Sequence, residues 1–228
     1  MINQFSAAGA RHVREGMENQ DAAAADENER YTAAVLADGV SSCSQAQRGA
    51  MLACDAVLRL LLGCGEFFMN ATHDDIVRVI LRNVLHALEK EAEASGADPA
   101  EYSSTLSFAL RDHLTGRTLL FQLDDGLILG CRGEQCFPLI QPGSSRGGTC
   151  VTTTRYAAVQ CVTRLITDDE ADAVMLLTDG AWRSLLSGGV FREDAARAFR
   201  EGRYDTLQDI LTQTQPQDDH TLLIMTHQ

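Results

Sequence analysis

The chain is almost without lysine. Lys90 is the only one, so 18 of the 19 basic residues are arginines, and they are scattered along the sequence. No basic run tracks a phosphate backbone, and 32 acidic residues bring the formal net charge to −13. That balance excludes nucleic acid and an anionic membrane surface as partners. Apolar runs are short: none approaches the roughly 18 residues of a membrane-spanning helix, and Met1 to Ala10 lacks the charged and apolar regions of a signal peptide. The seven cysteines (Cys43, Cys54, Cys64, Cys131, Cys136, Cys150 and Cys161) are odd in number, contain no CxxC pair and sit largely in apolar segments. Buried free thiols in a reducing compartment are expected, which places the protein in the cytoplasm. Proline is also scarce, four in 228 residues. No linker divides the chain, and one domain over 1–228 is the expectation. The Gly/Ser/Thr-rich stretch 141–154 reads as a surface loop that could act as a lid.

What is present is a set of short apolar segments. Tyr31–Ala37 reads as a buried central strand ending at Asp38-Gly39. A helix of about five turns is expected after it, with Ser42 and Ser44 as N-cap candidates and Ala50, Met51, Cys54, Val57, Leu58 and Leu61 at helical spacing. A second helix opens with the capping-box pattern Thr72 to Asp75, carries Ile76, Val77, Ile80, Leu81, Val84 and Leu88 on one face, and ends at Gly96 and Pro99. Strands follow at Ser104–Leu110, Thr118–Leu123, Leu127–Cys131 and Gln135–Ile140, read as one antiparallel meander. Tyr156–Ile166 and Ala173–Leu177 continue the strands. Helices near Arg192–Arg200 and Thr206–Thr214 precede a last strand, His220–Thr226. Hairpins dominate and helices come in pairs, so the class is α+β: two mainly antiparallel sheets with helices outside.

Three Asp-Gly dipeptides occur, at Asp38, Asp125 and Asp179. Asp125-Gly126 has strand-like segments on both sides and reads as a hairpin turn. Asp38 and Asp179 instead close buried strands, with glycine alongside to allow close backbone approach. Asp218 precedes the final strand and Asp21 stands at the start of another, so four segments can present an acid at one sheet edge. Oxygen donors without imidazole or thiolate select Mg²⁺ or Mn²⁺ over Zn²⁺. By spacing alone, a metal site and a set of solvated turn acids are equally good readings.

Read in order, Gly16-Met17-Glu18-Asn19-Gln20-Asp21-Ala22, Leu36-Ala37-Asp38-Gly39-Val40, Ser103-Ser104-Thr105-Leu106, Asp124-Asp125-Gly126, Leu177-Thr178-Asp179-Gly180 and Asp218-Asp219-His220-Thr221 resemble the successive motifs of the metal-dependent serine/threonine protein phosphatases of the 2C type. The resemblance is best with a smaller, divergent bacterial branch and covers almost the whole chain. It implies a four-layer α/β/β/α sandwich and two Mn²⁺ or Mg²⁺ ions. Asp38 would bridge the metals, the Gly39 carbonyl would bind one of them, and Asp179 and Asp218 would bind the other. Asp21 would be a nearby ligand, and Asp125 would help hold a third ion, as in some relatives. Many relatives have Glu where this chain has Gln20, which can offer only a neutral oxygen. Their phosphate-binding arginine has no counterpart at the usual spacing; Arg11 and Arg14 are the available substitutes. His12 is a candidate to bind phosphate or protonate the leaving oxygen, against the plain alternative of a surface histidine.

The implied activity is hydrolysis of phosphoserine and phosphothreonine in a phosphorylated protein by a metal-activated water, with Asp38 and Asp179 central to it. A cognate Ser/Thr kinase is the implied partner, and a monomer is expected. The alternative is a pseudophosphatase, a module that binds a phosphoprotein or kinase through a degenerate metal site. Trp182 is expected to pack beneath the strand end at Asp179.

Overall fold

A computed structural model describes residues 1–133, 135–143, 151–187 and 190–226. In chain order the elements are β1 (Ile2–Ala7), α1 (Ala10–Glu15), β2 (Asp21–Glu27), β3 (Tyr31–Asp38), α2 (Ala46–Asn70) and α3 (His73–Ser95). A 3-10 turn at Pro99–Tyr102 leads to β4 (Leu106–Asp112), β5 (Arg117–Leu123), β6 (Leu127–Arg132) and β7 (Gln135–Ile140). Then come α4 (Ala157–Gln160), β8 (Cys161–Thr167), β9 (Ala173–Leu177), α5 (Asp179–Leu185), β10 (Leu186–Ser187) and β11 (Val190–Phe191). The last three are α6 (Glu193–Arg200), α7 (Tyr204–Thr214) and β12 (His220–Thr226).

Two five-stranded antiparallel sheets form, ordered β1-β12-β9-β6-β7 and β2-β3-β4-β5-β8, with β10 and β11 as a small separate pair. Period-2 alternation sorts their residues into layers. Along β3, Ala33, Val35 and Ala37 face α2 and α3, while Ala34 and Leu36 face the opposite sheet. Along β9, Met175 and Leu177 pack under α5, α6 and α7, while Val174 and Leu176 meet the other sheet. Central strands therefore bury both faces and read as continuous apolar runs. The result is the expected four layers, helices outside and two sheets within.

The amphipathic helices follow their sequence signals closely. Thr72 caps α3 by accepting from the Asp75 N–H, and Gly96 ends it in the left-handed region at φ 72. All six of the apolar α3 positions named from spacing are buried. Under α2 and α3, Phe108 of β4 and Phe121 of β5 are cross-strand partners stacked with ring centroids 4.9 Å apart. Gly49 lets α2 approach the 3-10 turn: a Cβ there would lie 2.0 Å from the Tyr102 carbonyl oxygen, which is backbone and cannot swing aside. Gly49→Ala is expected to destabilise the protein by about 2 kcal/mol in urea unfolding.

Several expectations are corrected. Asp125-Gly126 is not a hairpin turn, because β5 and β6 lie in different sheets and the segment carries the chain from one layer to the other. The single meander is thus two hairpins, β4-β5 and β6-β7. Neither Ser42 nor Ser44 caps α2; Gln45 occupies the cap position without a side-chain bond, and the helix runs 25 residues through a break at Cys64. Met51 lies on the solvent face, not in the core. Residues 157–160 form α4, so the eighth strand starts only at Cys161. Cys54 and Cys131 are buried free thiols and Cys161 is buried, whereas Cys64 is exposed. Half of the proposed loop 141–154, residues 144–150, lies outside the described residues, with Cys150 and any lid role.

Candidate active site

The ends of four strands and one helix meet at one edge of the sandwich. Antiparallel pairing of β2 with β3 sets Asp21 directly opposite Asp38. Asp179 opens α5 straight after β9, and Asp218 and Asp219 immediately precede β12, which pairs with β9. The β5-β6 crossing brings Asp125 over from the second sheet, where Trp182 Nε1 donates to the Asp125 carbonyl at 2.8 Å. Gly180 makes this convergence possible, since a Cβ would lie 2.2 Å from the Asp219 carbonyl oxygen.

Five carboxylates consequently share one field. Burial raises the Asp38 carboxyl well above the usual range, and the charges of Asp21, Asp179, Asp125 and Asp218 push it further. Burial also pushes Asp21 up to about 7 despite hydrogen bonds from Thr221 and Thr178, and it raises Asp125 and Asp179 as well. Hydrogen bonding does not exhaust the acceptors. Asp21 Oδ1, Asp179 Oδ1 and Gln20 Oε1 are buried with no hydrogen-bond partner, a costly state for an oxygen unless it meets a cation or bound water. The donor set is all oxygen, which fits Mg²⁺ or Mn²⁺. Among the described residues, no three His, Cys, Asp or Glu side chains converge on a single cation position. Two arginines draw carboxylates aside: Arg183 is ion-paired with Asp179 and lies 4.0 Å from Asp125, and Arg11 is 3.2 Å from Asp218. A Mg²⁺-type ion bound through one or two carboxylates and several waters does not require such convergence.

Asp219 has a different task from Asp218. It is 3% exposed, and its carboxylate accepts from Gly9 N–H (2.7 Å), Gln20 N–H (2.6 Å) and His12 Nδ1 (2.8 Å). His12 is therefore not a surface histidine. Its Nε2 lies 3.2 Å from the Arg11 guanidinium, which can only donate, so Nε2 accepts and the ring proton sits on Nδ1, toward Asp219. The ring thus bridges Arg11 and Asp219. Arg11 itself reaches Ser41 Oγ at 2.9 Å as well as Asp218. It lines a cleft of about 280 Å³ with Gly180, Arg183, Ser184, Pro216, Gln217 and Asp218. Arg14 is exposed and bonded to Gln217, away from the carboxylates.

Three participants escaped the sequence reading. Arg183 stands four residues after Asp179, a helical i,i+4 spacing that would have been legible had α5 been foreseen. Thr178 donates to Asp21 Oδ2 at 2.9 Å and accepts from the Thr221 N–H, tying three strands together. Asp219 could not be told from its neighbour Asp218 by residue type.

The protein phosphatase 2C family profile matches residues 8–214, reaching from just before α1 to the end of α7. No curated protein sequence matches the chain. Among solved structures, a bacterial serine phosphatase superposes with TM-score 0.76 at 14% identity, covering 100% of this chain and 97% of its own. The serine/threonine phosphatase Stp1 from Staphylococcus aureus gives TM-score 0.72 at 13% identity, covering 100% and 94%. RsbX in complex with magnesium gives 0.62 at 13%, covering 98% and 92%. At these identities the structural likeness shows the fold.

Proposed function

Because the chain belongs to the protein phosphatase 2C family and is a metal-dependent serine/threonine phosphoprotein phosphatase, we propose that Asp21, Asp38, Asp179 and Asp218, with the Gly39 carbonyl, hold two Mn²⁺ or Mg²⁺ ions. Asp125 is placed for a third. The observation that carries this reading is the pair of buried, unpartnered oxygens, Asp21 Oδ1 and Asp179 Oδ1, within a group of five carboxylates. Gln20 Oε1, buried beside them in sequence and also unpartnered, is suited to orient a bound water.

When bound, the ions supply an acidified water as nucleophile and neutralise the phosphoryl oxygens. The chain's own residues do the rest. Asp38 and Asp179 fix the charge that holds the ions on two rigid strand ends. Arg11, braced by His12 and Asp219, presents a guanidinium to a cleft wide enough for a phosphoryl group, and Arg183 lines the same cleft. Arg11→Ala is expected to raise KM for a phosphothreonine peptide about tenfold. Arg14→Ala should change it by less than about twofold, since an exposed residue whose side chain bonds only Gln217 contributes little.

A binding module without turnover is not favoured: membership of the phosphatase family supports catalysis, and the carboxylates are retained despite Gln20. We further propose that residues 1–228 act as one catalytic domain, since the site draws on residues from Arg11 to Asp219. The net charge of −13 supports a monomer. A Ser/Thr kinase must supply the phosphorylated substrates. Among the described residues no helix is long and apolar enough to cross a membrane, and the free thiols support a reducing, cytoplasmic setting.

The test is hydrolysis of p-nitrophenyl phosphate and a phosphothreonine peptide by chelator-stripped protein, before and after Mn²⁺ or Mg²⁺ is added back. Activity should return with the cation, and absence of turnover on both substrates at saturating cation would overturn the reading. Stability gives a second readout. The Asp21 carboxyl lies near 7 against 3.8 for an unperturbed one, so the metal-free protein has this contribution intact below pH 3.8 and loses it as pH rises toward 7. Cations displace those protons, so the Tm gain from Mn²⁺ should be larger at pH 7.5 than at pH 5.5, by about 5 °C in a thermal scan.

A further inference from the structure

Cys131 in β6 and Cys136 in β7 lie directly opposite each other across their hairpin, on the far side of the sheet from the interior cluster. Directly opposed residues of an antiparallel pair have Cα atoms about 4.5–5.5 Å apart, within the roughly 4.4–6.8 Å that a disulfide spans. Both thiols are free, and the Cys131 Sγ lies 3.8 Å from the Gly133 carbonyl oxygen at the hairpin's turn. The positive charge of Arg200, the last residue of α6, acts on Cys136, whose Sγ is 3.8 Å from the Ala196 carbonyl oxygen. Cys131 is buried and Cys136 half-buried.

We propose that this pair is a modification site for hydroperoxides, at which Cys136 is attacked first and Cys131 then closes a cross-strand disulfide. The division of labour follows from the surroundings. The Cys131 thiol and the Arg200 guanidinium hold the Cys136 thiol below its ordinary range, while the same contact and burial push Cys131 up. Cys136 is thus the readier of the two to ionise. In the first step Cys136 S⁻ attacks the terminal oxygen of the hydroperoxide, the O–O bond breaks, and an alkoxide leaves and takes up a proton, giving Cys136–SOH. In the second step Cys131 sulfur attacks that sulfur, and the S–O bond breaks with loss of water. Two thiols are oxidised, and one hydroperoxide is reduced to an alcohol.

Cys64 provides the internal control, because among the described residues it is the exposed thiol and exposure alone would make it react before the pair. Arg132 lies between the pair, so trypsin leaves Cys131 and Cys136 on separate peptides joined only by the new bond. After brief treatment of the full chain with hydrogen peroxide at pH 7, mass spectrometry of the non-reduced digest should show these two peptides linked and Cys64 still alkylatable, with Cys136 reacting about tenfold faster. Cys131→Ser should trap Cys136 as a dimedone-reactive sulfenic acid. Arg200→Gln should move the Cys136 thiolate absorbance midpoint to higher pH, which a purely structural role for Arg200 would not do. Faster oxidation of Cys64, or linkage of Cys136 to a different cysteine, would overturn the proposal, as would an unmoved midpoint together with absence of the linked peptides.

Discussion

Asp38→Asn is expected to reduce phosphatase turnover by about a thousandfold or more, on the order of 4 kcal/mol in the barrier, while leaving the metal-free protein at least as stable as the wild type. The two halves of this expectation have one cause. Asp38 ends a rigid buried strand, faces Asp21 across β2-β3, and shares its field with Asp179, Asp125 and Asp218. Ionising it there works against burial and four like charges, so replacing it by a neutral isostere relieves repulsion in the empty site and removes the charge that would hold a cation in the filled one. Turnover assays with Mn²⁺, paired with urea unfolding in chelator, separate the effects. Near-wild-type turnover would remove Asp38 from the proposed metal set, and a large loss of metal-free stability would mean that its neighbours do not repel it.

The opposite pattern is expected at Asp219. Asp219→Ala removes the acceptor for three buried donors, Gly9 N–H, Gln20 N–H and His12 Nδ1–H. Stranding them should cost about 3–5 kcal/mol and lower Tm by about 10 °C. Asp219→Asn keeps one accepting oxygen and should fall between. Because His12 braces Arg11, protein that remains folded should also show a raised KM. Chemical denaturation and peptide kinetics on both variants check this. If Asp219→Ala unfolds like the wild type, the three bonds are dispensable and Asp219 is not the clasp described.

Adjacent aspartates with such different duties show where sequence reading stops. Strand-end placement marked both Asp218 and Asp219, but which carboxylate turns into the fold depends on Gly9 and Gln20, about 200 residues away. Asp125-Gly126 failed for a related reason: a tight turn and a crossing between sheets draw on the same local chemistry, and only the partners of β5 and β6 distinguish them. Where the signal was local it carried through. Thr72 and Gly96 bound α3 as their cap chemistry requires, and β12 runs over the residues its continuous apolar run marks. β1 was missed because INQFSA is short and half-exposed, so its burial pattern has no sequence signature. The candidate ligands were legible as acids and became a set only through the order of the motifs. Arg183 and the prop behind Arg11 required the fold.

The order of strands in the first sheet has a consequence for how the molecule is made. β12 stands between β1 and β9, yet it is later in sequence than both. During synthesis β1 emerges before the rest of its sheet and must wait for more than two hundred further residues before its partner β12 exists. Until then its edge is unpaired, the clasp on Gly9, His12 and Gln20 is missing, and the carboxylates of β2, β3 and α5 have no Asp218 beside them. A nascent chain can complete the helix-covered sheet β2-β3-β4-β5-β8 well before that moment. Competence for catalysis should therefore arrive abruptly and late, as a single long-range closing event.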